Sequence, residues 1–366
     1  IEMVDLGSTD YMTVLATELS GSGSDFDVVT IKDVPGYATL VQKNTLESLD
    51  DYITDAGINL ADFNGITDQV TVDGSLYELP FRSDYWLIYY NKDVFDAAGI
   101  AYPSNDMTME DYDALARQLT DTTYGSQVYG CHYHTWRSAV ELFGILDGKH
   151  SILDGNYDWM IPYYDMILSE EDDGVCQTYT DLSTEGLHYS AAFSNGNVAM
   201  MNMGSWFIST LISNLDSGEY DSSLCGNWGI ASYPHPDGAE AGSTIATITG
   251  LAVTSASANK DAAFDFVNWV SGTEGAKVMA STGNFPAIMT DDVINTIAGM
   301  AGFPTDESSK EALNITNAYL EVPYAENVSE INSILDTYHT SIMNREVTVE
   351  EGVASMNEQV GKILNQ

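Results

Sequence analysis

The spacing of apolar positions near the start of the chain predicts a helix followed by a strand. Apolar residues recur at helical spacing between positions 12 and 19, with Ser8 and Thr9 as candidate caps before them and Gly21 at the end of the pattern. The β-branched run at 27–31 (DVVTI) lies between turn residues and is typical of a buried parallel strand. A helix that leads into such a strand indicates an α/β layer.

Two further periodic segments predict helices. Thr108 and Asp111 have the spacing of a capping box at the start of a helix expected from 108 to 119. The segment 260–270 carries an apolar stripe at helical spacing and is expected to pack against the core. Trp269 in that segment is interpreted as a core residue rather than a binding residue.

A third pattern directs attention to Trp206. The Asn195-Gly196 turn precedes the apolar run 198–203 (VAMMNM), which predicts a strand that ends at Gly204, Ser205 and Trp206. A glycine and a serine before the indole leave room for a ligand to approach. This strand end is therefore a candidate site, although a tryptophan at a helix start also occurs in ordinary cores.

Chain length predicts the number of domains, and net charge limits the kinds of ligand that the protein can bind. The chain has 366 residues, which exceeds what a single core usually supports and predicts two domains. Its 55 acidic and 12 basic residues give a formal charge of −43, so its surface repels nucleic acid and anionic lipid. Nucleic-acid binding is excluded, whereas solubility explains the acidity without any ligand. Attraction of a cationic ligand stays open as an alternative.

Metal and cofactor signatures are missing from the sequence. The three cysteines, Cys131, Cys176 and Cys225, have no close C-x-x-C spacing, and the six histidines form no H-E-x-x-H motif. We expect no cofactor and no metal. An odd number of cysteines leaves at least one thiol unpaired, and the sequence does not decide between one disulfide and none.

The first residues suggest that more chain lies upstream. No apolar run reaches transmembrane length, and no basic-then-apolar signal segment opens the sequence. The chain starts at IEMVDLG, which is interpreted as a strand already under way. We therefore expect a leader before residue 1.

Four segments, in order along the chain, resemble one protein family. They are LIYYNKDVFDAAGI at 87–100, FSNGNVAMMNMGSWF at 193–207, TGLAVTSASANKDAAFDFVNWVSGTEGA at 249–276 and GNFPA at 283–287. Together they resemble family 1 of the extracellular solute-binding proteins of carbohydrate ABC importers, which are similar to maltose-binding protein. The resemblance covers essentially the whole chain.

The resemblance implies a two-lobed α/β fold of the periplasmic-binding-protein type II, with a ligand cleft between the lobes. Residues 1–82 and 250–300 would form the first lobe, without its initial strand and helix, and residues 83–249 and 301–366 the second. The chain would cross between lobes near 81–85, 248–253 and 299–310. Closure on a hinge around one solute would then shift an open-to-closed equilibrium.

The resemblance also implies a place in the cell and partners. The protein would be a monomer without enzymatic activity, held at the cell surface as a lipoprotein or present in the periplasm. It would hand an oligosaccharide to the membrane permease subunits of an ABC importer. A leader with a lipidated cysteine would supply the membrane tether.

Sugar capture needs aromatic rings for the C–H face of a pyranose and ionic or amide groups for its hydroxyls. The chain has 22 tyrosines and 6 tryptophans. Asp33 and Tyr37 flank Pro35-Gly36 after the first predicted strand, where open α/β sheets bind ligands. The candidate ligand-binding residues, several of them placed by the resemblance, are Asp33, Tyr37, Arg82, Asp84, Trp86, Trp136, Trp206, Asn284, Tyr324 and Glu326.

Structural explanations compete with binding at several of these positions. Asp33 has the sequence context of a turn cap, because Asp commonly precedes Pro and Gly in turns. Arg82 and Asp84 could form a local ion pair on an edge exposed to solvent. Trp136 could pack against a helix face.

Two other functions are weighed against a carbohydrate receptor. A glycosidase needs two carboxylates, which Asp33, Asp84 and Glu326 could supply, but no spacing marks an acid with a raised pKa. The same fold could instead bind a polyamine or another small solute, although Arg82 beside Asp84 suits hydroxyl groups better than a cation. A short oligosaccharide is the expected ligand.

Overall fold

A computed structural model of the chain describes residues 1–7, 10–22, 25–63, 65–120 and 128–365. The candidate caps Ser8 and Thr9 lie outside the described residues. Residues 1–7 contain no helix or strand, so the interpretation of the first residues as a strand is wrong. The chain instead leads into its first helix, which begins at Tyr11.

The described chain contains seven strands interspersed among helices. The strands are β1 Val28–Ile31, β2 Leu79–Asn91, β3 Tyr129–His132, β4 Val198–Gly204, β5 Trp228–Ser232, β6 Ser243–Val253 and β7 Asn317–Leu320. The first helices are α1 Tyr11–Ser22, α2 Val34–Gln42, α3 Asp50–Ala56, α4 Lys92–Ala98, α5 Met109–Leu119, α6 Ser138–Ile145, α7 Ile161–Asp172, α8 Tyr179–Glu185 and α9 Tyr189–Ser194. The remaining helices are α10 Trp206–Ser217, α11 Ser222–Cys225, α12 Lys260–Ser271, α13 Thr273–Ala280, α14 Asp291–Ala298, α15 Glu307–Glu311, α16 Val328–Met343 and α17 Val349–Leu364.

The chain divides into two compact units, each made of several segments. Unit 1 contains residues 1–84, 247–296 and 322–332. Unit 2 contains residues 85–246, 297–321 and the chain from 333 onward. The boundaries expected from the sequence lie at 82/83, 249/250 and 300/301. They assign residues 322–332 to the second lobe, whereas the structure groups these residues with unit 1.

In unit 1, β1 pairs with the end of β6. Val28 faces Val253 and Ile31 faces Gly250, and the two strands run antiparallel. The predicted strand is therefore confirmed and its predicted parallel direction is wrong. Burial alternates along β1, which shows that only one face of the strand is covered. A β-branched run suits either direction, because direction depends on where the partner strand comes from.

In unit 2, β2 lies between two antiparallel neighbours. Its residues 86–90 pair with β4, and its residues 87–91 pair with β5. On the far side of β4, β3 runs parallel to it. All seven residues of β4 are buried, which agrees with the strand predicted at 198–203. Helices α4, α5 and α9 all pack against β4, which explains why this strand is buried without alternation.

The helix predictions are largely correct. Thr108 forms both hydrogen bonds of a capping box with Asp111 at the start of α5. The segment 260–270 is helical as α12, but Trp269 is 55% exposed, so its interpretation as a core residue is wrong. The buried face of α12 runs through Ala263 and Val267, and Trp269 lies off that face. None of the helices in the described parts of the chain combines the length and the apolar character needed to cross a membrane.

Gly130 in β3 allows a close approach that can be tested. A Cβ atom at this position would lie 1.7 Å from the backbone oxygen of Ala116 in α5. We expect Gly130→Ala to lower the free energy of unfolding by about 1 to 3 kcal/mol, because backbone cannot move aside cheaply. The measurement is denaturant unfolding followed by circular dichroism.

Gly361 provides the matched control for that substitution. It lies inside α17, and a Cβ atom there would meet no heavy atom within 4 Å. Gly361→Ala should raise the free energy of unfolding by about 0.5 to 1 kcal/mol, since alanine stabilises a helix interior. A Gly130→Ala protein as stable as the wild type would contradict the packing of α5 on β3.

Candidate ligand-binding residues

Three tryptophans of unit 2 come together, and we call Trp86, Trp136 and Trp206 the tryptophan triad. Their ring centroids lie 5.5 Å apart for Trp86 and Trp206, 6.2 Å for Trp136 and Trp206, and 6.4 Å for Trp86 and Trp136. Trp86 is buried, Trp206 is partly exposed and Trp136 is 39% exposed. All three are sequence candidates, and they are far apart in the sequence.

Strand pairing positions two members of the triad. Trp86 on β2 lies opposite Gly204, the last residue of β4. The Ser205 backbone N–H donates to the Tyr85 carbonyl oxygen at 2.8 Å, and the Tyr85 N–H donates to Ser205 Oγ at 3.2 Å. The chain is therefore anchored to β2 at the residue before Trp206.

Gly204 is needed because of the indole that follows it. A Cβ atom on Gly204 would lie 2.0 Å from Cζ3 of Trp206. The indole therefore folds back over the strand end that carries it. The space predicted for a ligand next to the glycine is used by the Trp206 ring, which in turn packs against Trp86.

Further aromatic rings extend the triad from Trp136. The His134 ring lies 4.5 Å from the Trp136 ring, and the Tyr189 ring lies 5.7 Å from it. The ring centroids of His188 and Tyr189 lie 3.9 Å apart, and His188 caps α9. Sequence reasoning missed His188 and Tyr189. Their only sequence signal is two adjacent rings at a helix start.

His134 is neutral under ordinary conditions. Burial, with a smaller contribution from His188, lowers the pKa of His134 to about 4. A neutral imidazole has one N–H donor and one acceptor nitrogen. Among the described residues, the Nδ1 atom of His134 has no hydrogen-bond partner. This part of unit 2 thus combines aromatic faces with an uncharged polar group.

Arg137, next to Trp136 in the sequence, has a different role. It is buried, and its Nε lies 2.6 Å from Glu141 Oε2. It also forms an ion pair with Asp336. The guanidinium therefore holds α6 and α16 together within unit 2.

In unit 1, Asp33 and Tyr37 have structural partners. Asp33 is the N-cap of α2, and its Oδ1 accepts a hydrogen bond from the Gly36 N–H at 2.7 Å. Tyr37 has no exposed surface, and its hydroxyl accepts from the Tyr77 N–H at 3.2 Å. The turn cap considered from the sequence is therefore present, and the Tyr37 ring is inside the core.

Arg82 and Asp84 form a close ion pair on β2. Arg82 Nε lies 2.5 Å from Asp84 Oδ2, and Arg82 Nη2 donates to Asp84 Oδ1 at 3.2 Å. The local pair considered from the sequence is therefore real. The pair is only partly exposed, with 28% of the Arg82 side chain and 8% of the Asp84 side chain accessible.

The remaining candidates of unit 1 fall into two places. The backbone on either side of Pro286 pairs with β2, where the Ser83 N–H donates to the Phe285 oxygen at 3.2 Å. Asn284 therefore lies beside the strand that carries Arg82. Tyr324 packs edge-on against Tyr37 at 6.0 Å, and Glu326 is exposed.

Glu78 is a buried carboxyl group that sequence reasoning missed. It is 1% exposed, and neither carboxyl oxygen has a hydrogen-bond partner within the described part of the chain. It packs against β6, where a Cβ atom on Gly250 would lie 2.1 Å from its Oε2. Burial, and then the charge of Asp33, raises the pKa of Glu78 to about 8. The available signal was a glutamate in the otherwise apolar strand start YELPF.

The raised pKa of Glu78 predicts a stability change with pH. In the unfolded chain Glu78 loses its proton above the ordinary pKa of 4.5, whereas in the folded protein it keeps the proton up to about pH 8. The free energy of unfolding therefore falls as the pH rises from about 4.5 through about 8. Glu78→Gln copies the protonated form. The free energy of unfolding of Glu78→Gln minus that of the wild type should therefore grow by about 1 to 3 kcal/mol between about pH 6 and pH 8.

The exposed Glu326 of the same unit is the control for this measurement. Unfolding in denaturant at several pH values should give the same slope against pH for Glu326→Gln and for the wild type. Parallel curves for Glu78→Gln and the wild type would show that Glu78 is ionised in the folded protein.

Among proteins of known sequence, the chain is similar to a mannitol-binding protein. It is 24% identical over 274 residues to the mannitol-binding protein of Pseudomonas aeruginosa, a match that covers 73% of this chain. The chain spans only 61% of that relative.

Solved structures share the fold. A sugar transporter from Rhizobium etli in an open conformation is 47% identical, with a TM-score of 0.90 over 98% of this chain and 91% of that one. An ABC substrate-binding protein from Listeria monocytogenes in complex with cycloalternan is 22% identical, with a TM-score of 0.80 over 98% and 90% of the two chains. At that lower identity the likeness shows the fold alone. The predicted fold class, a mixed α/β fold of the kind found in two-lobed sugar-binding proteins, is confirmed.

The family assignment rests on the sequence as well as the fold. The sequence model of the family described as bacterial extracellular solute-binding protein matches residues 1–277. The four segments noted in the sequence begin within or just beyond this range, and the family that they resemble is confirmed. The chain belongs to the bacterial extracellular solute-binding proteins.

Proposed function

We propose that the protein captures a carbohydrate, a short oligosaccharide or a related polyol, and delivers it to the permease subunits of an ABC importer. The observation that carries this proposal is the tryptophan triad of unit 2. Support also comes from the 47% identical sugar transporter and from the mannitol-binding relative. The protein would act as a monomer outside the cell, anchored through a lipidated leader.

The triad suits the apolar face of a sugar ring. The C–H groups of a pyranose or polyol carry a small positive charge and pack well on the electron-rich face of an indole. Trp136 offers the most exposed ring, and Trp206 supports it at 6.2 Å. Neutral His134 can exchange hydrogen bonds with hydroxyl groups without selecting a charged ligand. The triad is therefore the stacking surface in this proposal.

The polar candidates of unit 1 complete the proposed set. Arg82, Asp84 and Asn284 offer ionic and amide groups to hydroxyls, which ionic partners bind more strongly than neutral ones. Tyr324 and Glu326 are kept as further candidates. Asp33 and Tyr37 are retained only as supports of this region, since the first caps a helix and the second is buried.

A glycosidase is the less favoured function. Its general acid must reach the glycosidic oxygen and hold a proton near neutral pH. Glu78 has the raised pKa but is 1% exposed, while Asp84 is paired with Arg82. The carboxyl group that would hold the proton near neutral pH therefore lacks access to a ligand. We propose that the protein binds its ligand without chemistry.

A ligand panel distinguishes sugar binding from polyamine binding. Mono- and oligosaccharides, mannitol, putrescine and spermidine are added in turn, and the melting temperature is recorded. A neutral sugar or polyol should raise the melting temperature, because a ligand that binds only the folded state stabilises it. A rise with spermidine and none with any sugar would overturn the proposal. Chromatography of the sugar after incubation should show no new product.

Substitution of the triad tests the stacking surface directly. With the ligand found in the panel, Trp136→Ala and Trp206→Ala should each weaken binding by roughly 10- to 100-fold, which corresponds to about 1 to 3 kcal/mol. The measurement is isothermal titration calorimetry.

Trp269→Ala is the matched control for the triad. This tryptophan is 55% exposed and lies in α12 of unit 1, whereas the triad belongs to unit 2. The Trp269→Ala protein should bind the ligand with the same affinity as the wild type. Unchanged affinity in both triad variants would remove the tryptophans from the binding site.

A further inference from the structure

Two of the three buried cysteines are neighbours in unit 2. Cys131 lies in the middle of β3, and Cys176 follows α7 after a short turn. The Cys131 N–H donates to the Val175 carbonyl oxygen at 3.4 Å, so the two backbone segments run side by side. The two Sγ atoms and one carboxyl oxygen of Glu170 lie within 4.8 Å of one another.

Cys225 stands apart from this pair. It lies at the end of α11, and its Sγ donates to the Asp221 carbonyl oxygen at 3.6 Å. Its thiol is also buried. Of the described cysteines, only Cys131 and Cys176 therefore have a partner thiol within reach.

We propose that Cys131 and Cys176 form a disulfide in the protein outside the cell, and that Cys225 stays reduced. A disulfide requires neighbouring backbones and sulfur atoms within reach of each other. Here the backbones are joined by a hydrogen bond, and the Sγ atoms lie within 4.8 Å. Proteins outside the cell meet an oxidising environment, and the family is described as extracellular.

The reaction needs an oxidant, and oxidised glutathione is a suitable one. A thiolate of the pair attacks a sulfur of oxidised glutathione and releases one glutathione thiolate. The second thiolate of the pair then attacks the mixed disulfide and releases another. One S–S bond forms in the protein, one is lost from glutathione, and the protein gives up two protons and two electrons.

Burial determines when the bond can form. Removal from water raises the pKa of the Cys131 thiol well above its ordinary value, so little thiolate exists in the folded protein. The bond would form while the chain folds, before β3 and α7 close over the sulfurs. Once formed it would resist reductants in solution, since both residues are at most 3% exposed.

A metal ion is the other possible occupant of this cluster. A closed zinc site uses four ligands, whereas this cluster offers three within the described residues. Burial raises the pKa of Glu170 to about 8, so its carboxyl group is mostly protonated at neutral pH and is a poor ligand. The geometry therefore favours the disulfide.

The bond would stabilise the part of unit 2 that carries the aromatic residues. The loop closed between Cys131 and Cys176 contains His134 and Trp136 as well as α6 and α7. A cross-link reduces the freedom of the unfolded chain over this loop. The proposed disulfide does not depend on which ligand binds. If the disulfide is disproved, the proposed function still stands, and the reverse is also true.

Thiol counting and peptide mapping test the proposal. The full chain is unfolded, refolded with a mixture of reduced and oxidised glutathione, and alkylated in denaturant without reductant. We expect one alkylated thiol per chain, at Cys225, and a cross-linked peptide pair that contains Cys131 and Cys176. Three alkylated thiols per chain, or a disulfide that includes Cys225, would overturn the proposal. Release of zinc by a chelator, with two more thiols then open to alkylation, would also overturn it, because the cysteines would be holding a metal ion.

Melting temperatures separate the bond from the packing of the cysteines. Dithiothreitol, present during unfolding, should lower the melting temperature of the oxidised wild type by on the order of 5 °C or more. The double variant Cys131→Ala/Cys176→Ala should show no response to dithiothreitol, and Cys225→Ala should respond as the wild type does. A wild type that does not respond to dithiothreitol would contradict the proposed bond.

Discussion

The pairing of β2 with β4 is the constraint on which the candidate site depends. It places Trp86 opposite Gly204, and the hydrogen bonds between Ser205 and Tyr85 fix the chain at the residue before Trp206. A shift of one residue in this register would turn every side chain of β4 to the opposite face of the sheet. The position of the Trp206 ring over Gly204 would then be lost. The aromatic surface is therefore a consequence of strand register rather than of local helix or loop preference.

The shortage of cations shapes the electrostatics of the interior. All four arginines form ion pairs with carboxyl groups, and Arg137 pairs with the buried Glu141. Glu78 and Glu170 are also buried, and burial raises the pKa of each to about 8. A buried carboxyl group without a strong cationic partner takes up a proton, because a bare charge in the interior is costly. In so acidic a chain, proton uptake replaces ion pairing at these two positions.

The neutral interior groups suit the proposed function. Glu78 in unit 1 and His134 in unit 2 are both uncharged near neutral pH, the first because it is protonated and the second because it is not. The tryptophan triad adds apolar faces to unit 2. In unit 2, the aromatic faces beside the neutral imidazole favour a neutral ligand with hydroxyl groups over a charged one. The many surface carboxylates would then serve solubility rather than recognition.

Local patterns in the sequence predicted local features correctly. The capping box of Thr108 and Asp111, the strand at 198–203, the helix at 260–270 and the cap at Asp33 all depend on residues a few positions apart. The direction of β1, the exposure of Trp269, the burial of Glu78 and the contact of Cys131 with Cys176 depend on segments far apart in the sequence. The sequence by itself determined the family, the α/β class and the three tryptophans as candidates. Only the tertiary structure decided that these rings meet, because long-range strand pairing, which no single stretch of residues encodes, brings them together.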